Sequence, residues 1–289
     1  MPGIKSNNNS GKAENTMNKR LLTIQDISCV GQCSITVALP VISACGVETA
    51  ILPSAVLSTH TGGFKHFTFK DLTDEMPVIE AGWGKEGIKF DAFYTGYVCP
   101  GQIDPILNIM KSCANPGALR IVDPAMADHG VLYKGFNDDF PMLMKKLIVG
   151  ADYILPNLTE AAFLLGRKPV LSGYDEAFIL ELAQALHAEG AKNVILTGVS
   201  FDPAKLGIAT YDGKEIKYYF NDKLEQSSHG TGDVYASVFA GAIMRGFSMY
   251  DAAALAADIV CKAILCTTPD HWYGVCFEQA LPMLIERLK

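Results

Sequence analysis

From residue 20 onward, short apolar runs rich in β-branched residues alternate with longer stretches whose apolar positions recur every three or four residues. The short runs predict strands at "RLLTIQD" (20–26), "TAILPSAVLS" (49–58), "FDAFYTGYV" (90–98), "LRIVDPA" (119–125), "ADYILPN" (151–157) and "KNVILTG" (192–198). The stretches between them predict helices near 33–45, 73–82, 102–113, 138–149, 159–166 and 174–189. Strands and helices in strict alternation predict a parallel sheet with helices on both faces. "LGIATYDGKEIKYYF" (206–220) breaks that rhythm, and its Asp212–Gly213 pair between two alternating runs predicts a hairpin. Three helices follow, at about 232–245, 249–267 and 276–288. The glycine-rich "AGWGKEG" (81–87) lies before a strand and reads as a turn. No internal repeat and no linker rich in Pro, Gly or Ser divides the chain, so residues 20–289 are expected to form one domain. Residues 1–19 are polar and lack an apolar core; they are expected to be a disordered tail, with Met17 a candidate natural start.

Composition narrows the class. The chain is 49% hydrophobic and 19% charged, as in ordinary globular proteins. A net charge of −7 argues against a nucleic-acid surface. No apolar run reaches the ~18 residues a membrane helix needs. With no signal core either, a cytoplasmic location is expected. The eight cysteines include no CxxC pair, so they read as reduced thiols and not as a zinc site.

The chemistry is concentrated just after the predicted strands, where open α/β sheets bind ligands. Asp26 follows the first strand, and Ser58 to Thr61 with Gly62 and Gly63 follow the second. Gly96 and Tyr97 close the third, and Asp123 closes the fourth with Asp128 and His129 close behind. Asn157 and Glu160 follow the fifth, in the spacing of a capping box, and Thr197 follows the sixth. After the hairpin comes "SSHGTGDVYAS" (227–237), in which Gly230, Thr231, Gly232 and Asp233 head a small-residue helix. An acid at a helix start can be a cap, or a base beside a bound phosphate. Carboxylates and an amide gathered at one sheet edge suit Mg²⁺ with phosphate. There is no Walker phosphate loop, no Gly-x-Gly-x-x-Gly after the first strand and no Gly-x-Ser-x-Gly elbow.

With "GTGD" heading a late helix, "NLTE" after a mid-chain strand and "DP" after the fourth, the chain resembles the ribokinase-like superfamily, and within it the pyridoxal (vitamin B6) kinases. "TIQD" with "VGQCS", "STHTGGF" (58–64), "TGY" (95–97) and "VDPAMAD" (122–128) are similar to that branch's motifs in the same order, over about residues 20–289. The resemblance implies a three-layer α/β/α sandwich and ATP-dependent phosphorylation of the hydroxymethyl group of a B6 vitamer, in a homodimer. It implies that Asp233 is the catalytic base and that Gly230, Thr231 and Gly232 form the anion hole. It places Asn157 and Glu160 near Mg²⁺ and the phosphates, Asp123 and Asp128 toward the nucleotide or its metal, and Thr197 beside the nucleotide. Asp26, Thr61 and Tyr97 would face the pyridine ring. Sugar kinases of the superfamily insert lid strands after the first strand. Here only about 20 residues separate Asp26 from Gly46, which leaves no room for a lid.

Two positions depart from the branch's pattern. Asp26 stands where serine is usual, and Leu57 where an aromatic is common. An ionised aspartate can only accept hydrogen bonds, so Asp26 is expected to favour a pyridinium or the cation of pyridoxamine. Hydroxymethylpyrimidine, a thiamin precursor with a similar ring and the same hydroxymethyl handle, remains the alternative substrate.

Overall fold

The computed structural model describes residues 19–226 and 228–289. Apart from Lys19, the tail expected over residues 1–19 lies outside the described residues, as does Ser227. The strands are β1 (Arg20–Ser28), β2 (Glu48–Leu57), β3 (Phe69–Asp71), β4 (Phe90–Thr95), β5 (Ala114–Val122), β6 (Ala127–Asp128), β7 (Val131–Leu132), β8 (Tyr153–Ile154), β9 (Val194–Val199), β10 (Lys205–Tyr211) and β11 (Ile216–Asp222). The helices are α1 (Ile35–Ala44), α2 (Glu75–Glu86), α3 (Ile103–Ser112), α4 (Phe140–Ile148), α5 (Leu158–Leu164), α6 (Glu176–Ala188), α7 (Thr231–Met244), α8 (Met249–Cys266) and α9 (Leu281–Arg287).

One sheet runs β11-β10-β9-β8-β5-β4-β1-β2-β3. The six strands from β9 to β2 are parallel. Antiparallel strands close both edges: β3 beside β2, and the hairpin β10–β11 beside β9. β1 shows why the sheet needs two covers. Its run "LLTI" is buried on both faces, and Leu21 joins the core under α7 and α8 while Leu22 and Ile24 join the core under α3 and α4. The result is a three-layer α/β/α sandwich, as the alternation of elements predicts. The chain leaves β1 for β2 on one side and returns to β4 on the other. That reversal opens a crevice beyond the carboxyl ends of β1 and β4. A bulge in the β1–β2 pairing falls between Gln25 and Ile27, so Asp26 sits where the ladder is interrupted, at the edge of this crevice.

Two expectations change, and three short strands add to the predicted set. "AGWGKEG" is not a turn: residues 81–86 are the last turns of α2, and Gly87 ends the helix in the left-handed conformation, φ 66°. Met76 is fully buried and Trp83 packs edge-on against Phe90 at 5.2 Å, which anchors one face despite Gly82 and Gly84. The strand expected over 151–157 shrinks to Tyr153–Ile154, continued by a single bridge from Asn157 to Thr197. Pro156 has no N–H to extend the ladder. β3, β6 and β7 are two or three residues long, too short to carry a periodic signal.

Candidate active site

The turn at the head of α7 is built for close approach. Gly230 is the residue before the first helical turn and takes φ 81°. A Cβ there would lie 1.6 Å from the backbone oxygen of Gln32, so no other residue fits. Thr231, Gly232 and Asp233 form the first turn, and its free N–H groups point out of the helix at its positive end. Gly230, the residue before that helix, has no side chain with which to cap it. Burial pushes the Asp233 carboxyl up to about 7, against the pull of the Ser34 backbone N–H, and the charge of Asp26 adds to the rise.

Three more acids converge on the same crevice. Asp123 directly follows β5, and its N–H donates to the carbonyl of Thr95 at 2.9 Å. Burial, then the charges of Glu160 and Asp233, push its carboxyl well above the usual carboxylate range. Glu160, in the first turn of α5, is buried, and both its oxygens accept backbone hydrogen bonds. Oε1 accepts from Met126 at 3.1 Å and Ala127 at 3.4 Å; Oε2 accepts from Asn157 at 2.9 Å. Burial still raises its pKa despite those donors. Asn157 caps α5 through Oδ1, which accepts from the Glu160 N–H at 2.9 Å, and its Nδ2 donates to the carbonyl of Ala127 at 2.8 Å. The capping box therefore has a second use: it fixes the loop after β5 to the start of α5. Thr197 pairs with Asn157 across the sheet.

Asp26 is buried, with Oδ2 accepting from the Ser28 hydroxyl at 2.9 Å and Oδ1 from the Ser34 hydroxyl at 2.5 Å. Burial raises its pKa and those two hydroxyls hold it back. Tyr97 is half-buried and stacks on Phe136 at 5.2 Å. Burial raises its phenol, and the charges of Cys99 and Asp26 add to the effect, which puts Tyr97 on the Asp26 side of the crevice. Thr61 is exposed, on a loop pinned by its neighbour His60. The His60 Nδ1 accepts from the Gly62 N–H at 3.0 Å and its Nε2 meets the Tyr273 carbonyl at 2.6 Å. That pair of partners assigns a neutral ring with the proton on Nε2. His60 also lies 5.0 Å from Phe64 and 5.3 Å from His229, and Phe64 packs on Trp272 at 4.8 Å, measured between ring centroids.

The structure thus brings Asp26, Asp123, Glu160, Asn157, Thr197, Tyr97 and the Gly230–Asp233 turn to one edge. Asp128 lies at the exposed rim of this edge: its Oδ1 accepts from the His129 N–H at 2.8 Å, and its charge still acts on Glu160. Among the described residues, no three acid, His or Cys side chains form a metal cage. The donor set fits a Mg²⁺ held mainly by phosphate oxygens and waters, with Glu160 and Asp128 on its acidic side. Sequence reasoning gave no role to Ser34 in "VGQCS" or to His60 in "STHTGGF", and missed Phe136. Ser34 before an apolar helix signals a cap, and nothing in the sequence shows that its hydroxyl turns elsewhere. Among the described residues, no helix is long and apolar enough to cross a membrane.

An open, mainly parallel sheet with a Gly-Thr-Gly-Asp turn facing its strand ends defines a small-molecule kinase of the ribokinase-like fold. The chain belongs to the phosphomethylpyrimidine kinase family, which matches residues 29–274. It is 34% identical to a Bacteroides thetaiotaomicron protein provisionally assigned as a phosphomethylpyrimidine kinase and crystallised with pyridoxal. That match has a TM-score of 0.86 and covers 92% of this chain and 95% of the other. A Lactobacillus plantarum pyridoxal kinase is 31% identical with a TM-score of 0.86, over 93% and 97% of the two chains. A Dictyostelium discoideum pyridoxal kinase is 27% identical over 243 residues, 78% of each chain.

Proposed function

We propose that the protein transfers the γ-phosphoryl group of ATP to the 5′-hydroxymethyl oxygen of pyridoxal, pyridoxamine or pyridoxine. The observation that carries this reading is the placement of Asp233. It is a carboxylate raised to about 7, in the first turn of α7, among the backbone N–H groups of that turn. Asp233 accepts the proton of the attacking hydroxyl as the new O–P bond forms and the bond to ADP breaks. The N–H groups from Thr231 to Asp233 hold the phosphoryl oxygens as charge develops on them, and Gly230 and Gly232 keep side chains out of the way. Glu160 and Asn157 hold the loop after β5 against α5, and Mg²⁺, when bound beside them, supplies the charge neutralisation that the turn lacks, since it has no lysine. Thr197 borders the nucleotide; Thr61 and Tyr97 border the ring.

Pyridoxal bound in the Bacteroides relative, and the pyridoxal kinase activity named for the Lactobacillus one, support a B6 vitamer. The name of the matched family supports a second reading, hydroxymethylpyrimidine as acceptor. ADP release measured over pyridoxal, pyridoxamine, pyridoxine, hydroxymethylpyrimidine and ribose, with products identified by mass, separates the two. The highest kcat/KM is expected for a B6 vitamer. A higher value for hydroxymethylpyrimidine transfers the site to the second reading, and turnover of ribose alone contradicts both.

A further inference from the structure

Ser34 is the residue before α1, a position where serine ordinarily caps the first free N–H groups. Here its side chain makes no cap. It is buried, it adopts φ 53°, ψ −135°, and its hydroxyl donates to Asp26. A positive φ is a strained conformation for a serine, and it persists only where the surroundings enforce it. They do so here. The Thr36 hydroxyl donates to the carbonyls of Gly31 at 3.2 Å and Cys33 at 2.7 Å. The Gln32 amide donates to Glu278 at 2.7 Å, and the Gln32 carbonyl abuts Gly230. This strained turn aims the Ser34 hydroxyl at Asp26 and its backbone N–H at Asp233.

We propose that Ser34 is a positioning residue that ties a second carboxylate, Asp26, to the Asp233 base, so that the pair sets when the base is free to accept a proton. This rests on Asp233 being the base of the proposed reaction. Several titratable groups surround the pair. Asp233 is faced by Asp26 from β1, Cys33 from the loop before α1, Tyr94 from β4, Asp123 from the end of β5 and Tyr133 from the segment after β7. Asp26 is faced by His60, Tyr97 and Cys99 as well. Asp26 is the neighbour whose negative charge raises Asp233, and Ser28 and Ser34 are the hydroxyls that favour that charge. Removing either hydroxyl raises the pKa of Asp26, makes it neutral over a wider pH range and relieves Asp233. Asp26 thus acts on the phosphoryl-transfer end of the site and not on the ring.

The test is a carboxyl titration by NMR on the full chain with ¹³C-labelled aspartate, comparing wild type, Asp26→Asn, Ser34→Ala and the double variant. The Asp233 midpoint is expected to fall by about one pH unit in Asp26→Asn, the usual scale for a neighbouring like charge. Ser34→Ala shifts it the same way. The double variant shifts no further than Asp26→Asn alone, because the serine acts through the aspartate. The acid limb of kcat/KM moves down with it, equally for pyridoxal and pyridoxamine. An unmoved Asp233 midpoint in Asp26→Asn overturns the proposal. So does an unmoved pH profile combined with a changed ratio between the two vitamers, which makes Asp26 a ring contact. The titration reads the coupling whether or not the chain turns over a B6 vitamer, so a failure of the substrate reading leaves this result distinct.

Discussion

Gly230 and Gln32 lie so close that a Cβ on Gly230 would fall 1.6 Å from the Gln32 backbone oxygen. The turn proposed to hold the phosphoryl group is thereby seated on the loop that carries Ser34. Gly230→Ala adds that Cβ at φ 81°, where a side chain is already strained. It is expected to lower both Tm and kcat. Gly232 has open space around its Cβ direction, so Gly232→Ala is expected to leave Tm near the wild-type value. Thermal unfolding of the two variants checks the contrast.

The pH dependence follows from Asp233. Its pKa is raised to about 7, and a base works only when it is deprotonated. As pH falls through that value, the base gains a proton and kcat/KM falls in proportion. The profile is therefore expected to have an acid limb with its midpoint near neutrality. A flat profile down to pH 5 would mean that Asp233 stays ionised.

Glu160 offers a stability test. Both its oxygens accept from backbone N–H groups, so Glu160→Gln turns one of them into an N–H₂ facing a donor. A buried donor without a partner costs about 1–3 kcal/mol. Tm is expected to fall by several degrees and the KM for ATP to rise, because the loop after β5 loses its tie to α5. Glu160→Gln with wild-type Tm would show that the three contacts carry no net stabilisation.

Phe64 packs on His60 and Trp272 and holds the loop that carries Thr61 against the segment 271–273. Aromatic pairs contribute ~0.5–1.5 kcal/mol beyond their buried area. Phe64→Ala is therefore expected to raise the KM of the hydroxymethyl acceptor by roughly threefold to tenfold. The KM for ATP is expected to hardly change, because Asn157 and Thr197, proposed to border the nucleotide, lie on other elements. Steady-state kinetics with each substrate varied in turn reads the difference.

Much of this was legible in the residues. The alternation from "RLLTIQD" to "KNVILTG" carries the sheet, because strands buried on both faces are apolar throughout. Gly230 to Asp233 stand out because glycines beside an acid at a helix start are rarely needed for packing alone. The edge strand β3 left no mark, since all three of its residues are exposed and none is selected by a core. "AGWGKEG" misleads because its glycines mask the helical spacing of Met76 and Trp83. The link from Asp26 through Ser34 to Asp233 depends on a positive φ at a serine, and composition gives no sign of it. His60 and His229 are far apart in sequence and meet only because β2 ends and α7 begins at the same crevice.

The central claim is that Asp233 takes the proton from the hydroxymethyl group, and Asp233→Asn tests it most directly. Asparagine keeps the shape and removes the base. With pyridoxal and ATP as substrates, kcat is expected to fall by roughly 10²–10⁴-fold while ATP binding stays close to wild type. Turnover near the wild-type rate would contradict the account.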